Sequence, residues 1–426
     1  MVNIAKIYST LGNSNSLIPL AVKDISATAG MTAGSFVTGK EEGQDRFIDE
    51  IGTEAIWLLG IPGFKWLFDN TIFRGLGLDA RFDARNLRDE KVFEKIKEYS
   101  PNDKIKKNLE KISDKKTTFK NAAVAKFFVS TGLAIASYIG LTNFKQKFTE
   151  KKIRENLIAE YNAGLAAENE PQKDQASKAP SFKGIGSAIE SFAFNPVKNM
   201  WILDGAITGE RLVGSRSPQE FIGYAIKEAS TLFFMYYAGG KIQELLEKNA
   251  TQKHNKSISL DARVLEDEML KNAFKDGSIE KDLEVFRKEC NSKPAMYDFL
   301  HNKSENIVVK TAKKSDIVKM YKKTDKIDTR RYIDFKEFVS VGDKIEELYK
   351  QYCNAIKQGE SSDKFFEGVK KLKRKSIVMN IGTCILALGV VTPAIMLLKR
   401  LAGKDDKEFE TKKEIREQLI KEGVIV

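Results

Sequence analysis

Histidine is almost missing from this chain, with only His254 and His301 among 426 residues. Serine triads, zincin-type helices and most general-base chemistry need histidine in company, so those enzyme classes lose their usual machinery. Cysteine is nearly as scarce. Cys290, Cys353 and Cys384 are odd in number and far apart, which excludes a disulfide framework or a clustered zinc site and fits a chain facing a reducing compartment. The first residues, Met1 to Ser16, carry no basic start followed by an apolar run, so no secretory signal is expected. Alternation of strands with helices is absent too. Gly75-Leu76-Gly77 therefore reads as a turn rather than a dinucleotide fingerprint, and Gly239-Gly240-Lys241 lacks the spacing of a phosphate loop. No catalytic residue, cofactor or metal is expected, and an enzyme is the less favoured class.

What the chain does have is apolar surface and charge together. Apolar residues make up 42%, aromatics 10% and charged residues 31%, with 71 Lys+Arg against 59 Asp+Glu. The signs are interspersed, and aromatics do not interleave with the lysine runs, so anionic lipid is a better partner than nucleic acid.

Four hydrophobic segments stand out. Ser376 to Leu398 holds no charge, and at a helical rise of about 1.5 Å per residue it spans a hydrocarbon core of roughly 30 Å. Phe127 to Phe144 is the second uncharged run. Two weaker segments lie at about 51–73, interrupted by Pro62 and Lys65, and at about 221–240, with Lys227 and Glu228 inside. Their aromatics, Trp57, Trp66, Phe233, Phe234, Tyr236 and Tyr237, suggest positions at headgroup level. Both strong segments have basic residues on both sides, including Lys126 against Lys145, and Lys370, Lys371, Lys373, Arg374 and Lys375 against Lys399 and Arg400. The positive-inside rule thus gives no orientation, although basic regions facing the cytoplasm and anionic lipid are the expectation. A soluble or peripheral helical protein is the rival reading.

The chain also matches itself in order. Val22-Lys23, Glu54-Ala55, Leu78-Asp79-Ala80-Arg81, Gly132, Thr142 and Ile153-Arg154-Glu155 find counterparts in Val197-Lys198, Glu228-Ala229, Leu260-Asp261-Ala262-Arg263, Gly382, Thr392 and Ile415-Arg416-Glu417. The expected fold is therefore an all-α helical membrane protein of two tandem diverged repeats. Each repeat carries a weak and a strong hydrophobic helix plus charged amphipathic helices. Repeat 1 covers 1–157, a flexible linker 158–190 and repeat 2 191–426, with a charged helical insert at about 264–375.

Local words add little chemistry. Ile333-Asp334-Phe335-Lys336-Glu337-Phe338 resembles the end of an EF-hand loop, yet that register puts Lys326 at the first ligand position and Arg331 where glycine is required. A turn before a helix is the better reading. Glu54 and Glu228 form the candidate site, an acidic pair at equivalent places in two hydrophobic segments, because a carboxylate in a membrane is expensive unless paired or hydrated. The simpler alternative is a first-turn acid favoured by the helix dipole, or an ion pair with Lys227 or Lys65. The expected function is a non-enzymatic membrane-anchored scaffold or interaction protein with basic helices at an anionic surface. A small transporter with a site between the repeats is the alternative.

Overall fold

The computed structural model describes residues 4–12, 17–164, 196–215, 218–322, 324–402 and 410–425. Among these residues every regular element is a helix, and the only pairing of extended chain is one antiparallel bridge between Met320 and Ile327. Two compact units share the chain. The first takes Met1–Pro19, Leu67–Lys126 and Gly239–Gly382, and the second Leu20–Trp66, Phe127–Ala238 and Thr383–Val426.

The first unit folds around apolar side chains. In the Asp103–Asp114 helix, Ile105, Leu109 and Ile112 are buried at helical spacing while Lys106 and Lys107 face outward. Phe73, Phe82, Phe93 and Phe119 meet edge to face, with ring centroids 5.5 to 5.8 Å apart. Phe286, Phe299 and Phe338 form a similar group. Helix starts carry their own caps. Asp89 accepts from Lys91 and Val92 amides, and Ser292 from that of Ala295 with Pro294 in the first turn. Asp334 accepts from Lys336 and Glu337 amides to open the Phe335–Lys357 helix, so the EF-hand-like word is a capping turn. At Asp276-Gly277 the chain breaks with Gly277 at φ 74°, in the left-handed region that glycine tolerates.

Asp-x-Arg recurs in this unit as a small rigid device. Asp83 accepts from the Arg85 backbone amide at 3.0 Å and its side chain pairs with the same guanidinium. Asp261 with Arg263 and Asp328 with Arg330 repeat that geometry. Asp79 keeps only the backbone half, accepting from the Arg81 amide at 3.0 Å, while its other oxygen pairs with Arg330 at 3.1 Å. The geometric counterpart of Asp261-Ala262-Arg263 is therefore Asp83-Ala84-Arg85, four residues beyond the word that the sequence aligns.

The second unit is built the other way round. Its surface is rich in large apolar residues, among them Phe36, Leu59, Trp66, Phe128, Phe144, Trp201, Phe221, Ile395 and Leu398, while Asp49, Glu50, Lys145, Arg211, Lys227 and Glu228 are buried. Two helices among the described residues are long and apolar enough to cross a membrane. Only 39% and 28% of their apolar windows are buried, so most of that surface faces outward. Trp57, expected at headgroup level, is instead an interior residue at 3% exposure, whereas Trp66 is outward.

Backbone irregularities follow from proline and from side chains that reach the backbone. Pro393 has no amide to give Gly389 in α-helical register, and the Ala387–Val391 turn before it widens to a π-helix that the Thr392 hydroxyl closes on Ala387 O at 2.9 Å. Pro62 likewise follows the π-turn Ile56–Gly60. A third π-turn, Phe233–Ala238, offers the Phe234 carbonyl to Lys23 Nζ at 3.3 Å and to Cys384 Sγ at 3.7 Å. The helix from Lys116 runs on through Gly164, which corrects the expected start of the linker at 158. Ile153 and Leu157, with Ile158 and Tyr161 beside them, pack against Ile415, Leu419 and Ile425, and that burial holds the extra turns. The remainder of the linker, 165–190, lies outside the described residues.

One backbone crossing in the second unit is close enough to forbid a side chain. A Cβ on Gly30 would lie 2.0 Å from the Gly389 carbonyl oxygen, whereas one on Gly132 would meet nothing within 4 Å. Gly30→Ala is expected to lower the unfolding midpoint by the equivalent of about 1–3 kcal/mol. Gly132→Ala should be neutral or gain about 0.5–1 kcal/mol, and thermal unfolding of the two variants beside the parent checks the contrast.

Candidate functional site

The Lys40–Ala55 helix places Asp45, Asp49, Glu50 and Glu54 along one buried face by their spacing of four, one and four residues. Three further helices of the second unit bring the bases. Lys145 comes from the Lys116–Gly164 helix, Arg211 from Pro196–Val213 and Lys227 from Pro218–Leu232. Lys145 lies 3.8 Å from Asp45 and from Asp49. Arg211 reaches Asp49 at 3.2 Å, donates to Thr53 at 3.0 Å and makes a short contact with Glu228. Lys227 bridges Glu50 at 3.1 Å and Glu228 at 3.0 Å.

Tyrosines line the same interior. Lys145 donates to the Tyr224 hydroxyl at 3.0 Å, and Tyr138 donates to Asp49 at 3.3 Å while receiving Arg211. The Thr28 hydroxyl lies 3.2 Å from Glu54 and 3.5 Å from Glu50. A continuous chain of polar contacts therefore runs Glu54, Thr28, Glu50, Lys227, Glu228, Arg211, Asp49, Lys145, Asp45. Both candidate glutamates belong to it, Glu54 at one end and Glu228 in the middle, linked through Thr28, Glu50 and Lys227 rather than directly. Glu228 is neutralised by two cations, Lys227 and Arg211, and accepts from Thr208 at 3.4 Å; Glu54 has hydroxyl and carboxyl neighbours.

Chemically this arrangement neutralises and orients charge. It presents no nucleophile with an activating base, and no group of three or more acidic, cysteine or histidine side chains among the described residues is arranged to hold a metal. Sequence reasoning found Glu54, Glu228 and Lys227 and missed Asp49, Glu50 and Arg211. A signal for them existed. Asp45 and Asp49 sit on the opposite side of their helix from Phe47 and Ile51, which are exposed, so the inner face of that helix carries charge. Lys145, assigned to a basic flank, is 2% exposed and ion-paired.

The expected basic cluster is dispersed. Lys373 is buried in the first unit and donates to the Ile258 carbonyl at 2.7 Å, and that burial pushes its pKa below the usual lysine range. Arg374 pairs with Glu266 at 2.6 Å and Lys370 with Glu367 at 3.5 Å, while Lys371 and Lys375 are exposed. The side chains of Lys399 and Arg400 lie outside the described residues.

Removing one member of a buried pair leaves the other charge stranded, which costs about 3–5 kcal/mol. Arg211→Met is expected to lose stability on that scale, because Asp49 and Glu228 both lose a cation. Arg287→Met, at an exposed pair with Asp343, should change it by less than about 1 kcal/mol. Denaturant unfolding of both variants gives the comparison.

No family model, no curated protein and no solved structure matches this chain.

Proposed function

We propose that this chain is a non-enzymatic, membrane-anchored helical interaction protein, whose second unit lies in the bilayer and whose first unit is an aqueous helical domain kept at the membrane by it. The observation that carries the reading is the inverted burial of the second unit, with charges inside and large apolar side chains outside. In water such a surface would aggregate, whereas hydrocarbon solvates it. The first unit has the opposite character, with buried phenylalanines and an outward lysine-rich face. Exposed Lys371 and Lys375, just before the apolar run from Ser376, are suited to anionic headgroups, at about 1 kcal/mol per charge near the surface.

Two diverged copies account for the second unit's layout. Glu50, Glu54, Trp57 and Ile61 correspond at one offset to Tyr224, Glu228, Thr231 and Met235, and all eight are buried. Thr131, Ala134 and Tyr138 correspond at another offset to Ile381, Cys384 and Leu388, again all buried. Ile153 and Ile415, from the two Ile-Arg-Glu words, enter one core cluster.

Alkaline carbonate washing of membranes should leave the full chain in the pellet, and complete release into the supernatant would overturn the membrane reading. Reconstituted into liposomes, the parent should pass no proton or cation current above empty vesicles. A parent that conducts, with Glu54→Gln/Glu228→Gln folded but silent, would replace the interaction role with transport.

A further inference from the structure

The Ser362–Leu386 helix divides apolar from charged residues by face. Phe365, Phe366 and Val369 are at most 2% exposed and seat it in the first unit. Lys364, Gly368, Lys371 and Lys375 recur every three or four residues, so they form a row on the outward side. On that row lies an open cavity of about 440 Å³, lined by Lys364, Glu367, Gly368, Lys371 and Arg374. Gly368 shapes its floor. A Cβ there would lie 2.7 Å from Cε of Lys256, whose stem passes over the glycine and whose Nζ pairs with Glu360 at 2.9 Å.

Charge around the cavity is unbalanced. Glu367, the one acid of the lining, is held by Lys370 at 3.5 Å, and Arg374 gives only Nε and one Nη to Glu266. Among the described residues Lys364 and Lys371 form no ion pair. Other bases of the unit do find acids: Lys314 meets Asp267 at 2.7 Å and Lys350 meets Glu346 at 2.6 Å.

Position along the chain says what kind of anion fits. The uncharged run begins at Ser376 on this same helix. At about 1.5 Å per residue, Arg374 stands about 3 Å and Lys371 about 7–8 Å before it. With Ser376 at the edge of the hydrocarbon, a headgroup layer about 5–8 Å deep lies at their height.

We propose that this cavity binds the phosphate headgroup of one anionic phospholipid, with Lys371 and Arg374 on the phosphate and Lys364 at the outer rim. The site rests on the membrane reading above and deepens it, since that reading needs only a basic flank. A zwitterionic headgroup would bring its ammonium against the two lysines, so the preference is for net negative charge. Contacts of about fivefold each are too few to hold a dilute free phosphate. A lipid already in the bilayer is presented at high local concentration, and for it they suffice.

Lysine acetylation of the full chain in nanodiscs reads the site residue by residue. Adding phosphatidylglycerol to phosphatidylcholine discs should slow Lys364 and Lys371 by about fivefold. Lys375, exposed beside the same apolar run but outside the lining, reports the general surface effect and should slow less. After extraction into detergent, phosphatidylglycerol should co-purify with the parent and with Lys281→Gln, but not with Lys364→Gln/Lys371→Gln, whose helical spectrum should match the parent's. Equal slowing at all three lysines, or none, would overturn the site and leave the anchor standing. Inorganic phosphate protecting Lys364 and Lys371 equally well in neutral discs would replace the lipid by a free anion. A chain that does not enter neutral discs would remove the anchor, and this site with it.

Discussion

Everything in the second unit depends on one constraint: a charge taken out of water must find an opposite charge at short range. Arg211 and Asp49 show how strictly it acts. Each is nearly fully buried, they meet at 3.2 Å, and each has further partners on two or more other helices. Alone, a pair like this is worth little, since desolvation offsets much of the Coulomb gain. Its value lies in specificity. Apolar side chains can slide past one another, but a displaced helix here would strand an ion, so the network selects one arrangement of the bundle. The outward apolar surface then needs no part in setting that arrangement.

Helical class and the hydrophobic segments were legible in the sequence because they depend on local spacing. Ile105, Leu109 and Ile112 declare a helix face by themselves, and Pro101 stops the helix before it. The interior of the second unit was only half legible. Glu54 and Glu228 stood out for lying in apolar segments, yet their partners lay on helices that periodicity alone cannot bring together. Lys145 shows the difficulty. A lysine at the edge of an apolar run looks like a flank, and only tertiary packing turns it inward towards Asp45 and Asp49. The Asp-x-Arg words misled in a different way, since identical letters at Asp79 and Asp261 make the same backbone turn but take different guanidinium partners, Arg330 pairing with Asp79.

The π-turns belong with the same physics. Pro62 and Pro393 each remove an amide from a helix that has few alternative donors, and the backbone answers by widening a turn rather than ending the helix. At Phe233–Ala238 no proline is needed, because Lys23 and Cys384 donate to the Phe234 carbonyl. Gly30 on the Leu17–Thr38 helix and Gly389 in the Ala387–Val391 turn let those two backbones approach closely. At these last two turns the irregular backbone lies against a neighbouring helix.

The two units are interlaced along the chain: each is assembled from three separate stretches, and the last stretch of the second unit begins only at Thr383. During synthesis the acids of the Lys40–Ala55 helix emerge long before Arg211 and Lys227, the cations that neutralise them. Until those arrive, Glu50 has only Arg46 of its own helix at 3.5 Å, and Asp49 has Arg46 and then Lys145. Neither unit can close as an independent early domain, so folding of the two is tied to completion of nearly the whole chain. A ribosome pausing before residue 211 would leave an apolar-faced helix whose carboxylates are only partly compensated, Glu50 lacking Lys227 and Asp49 lacking Arg211.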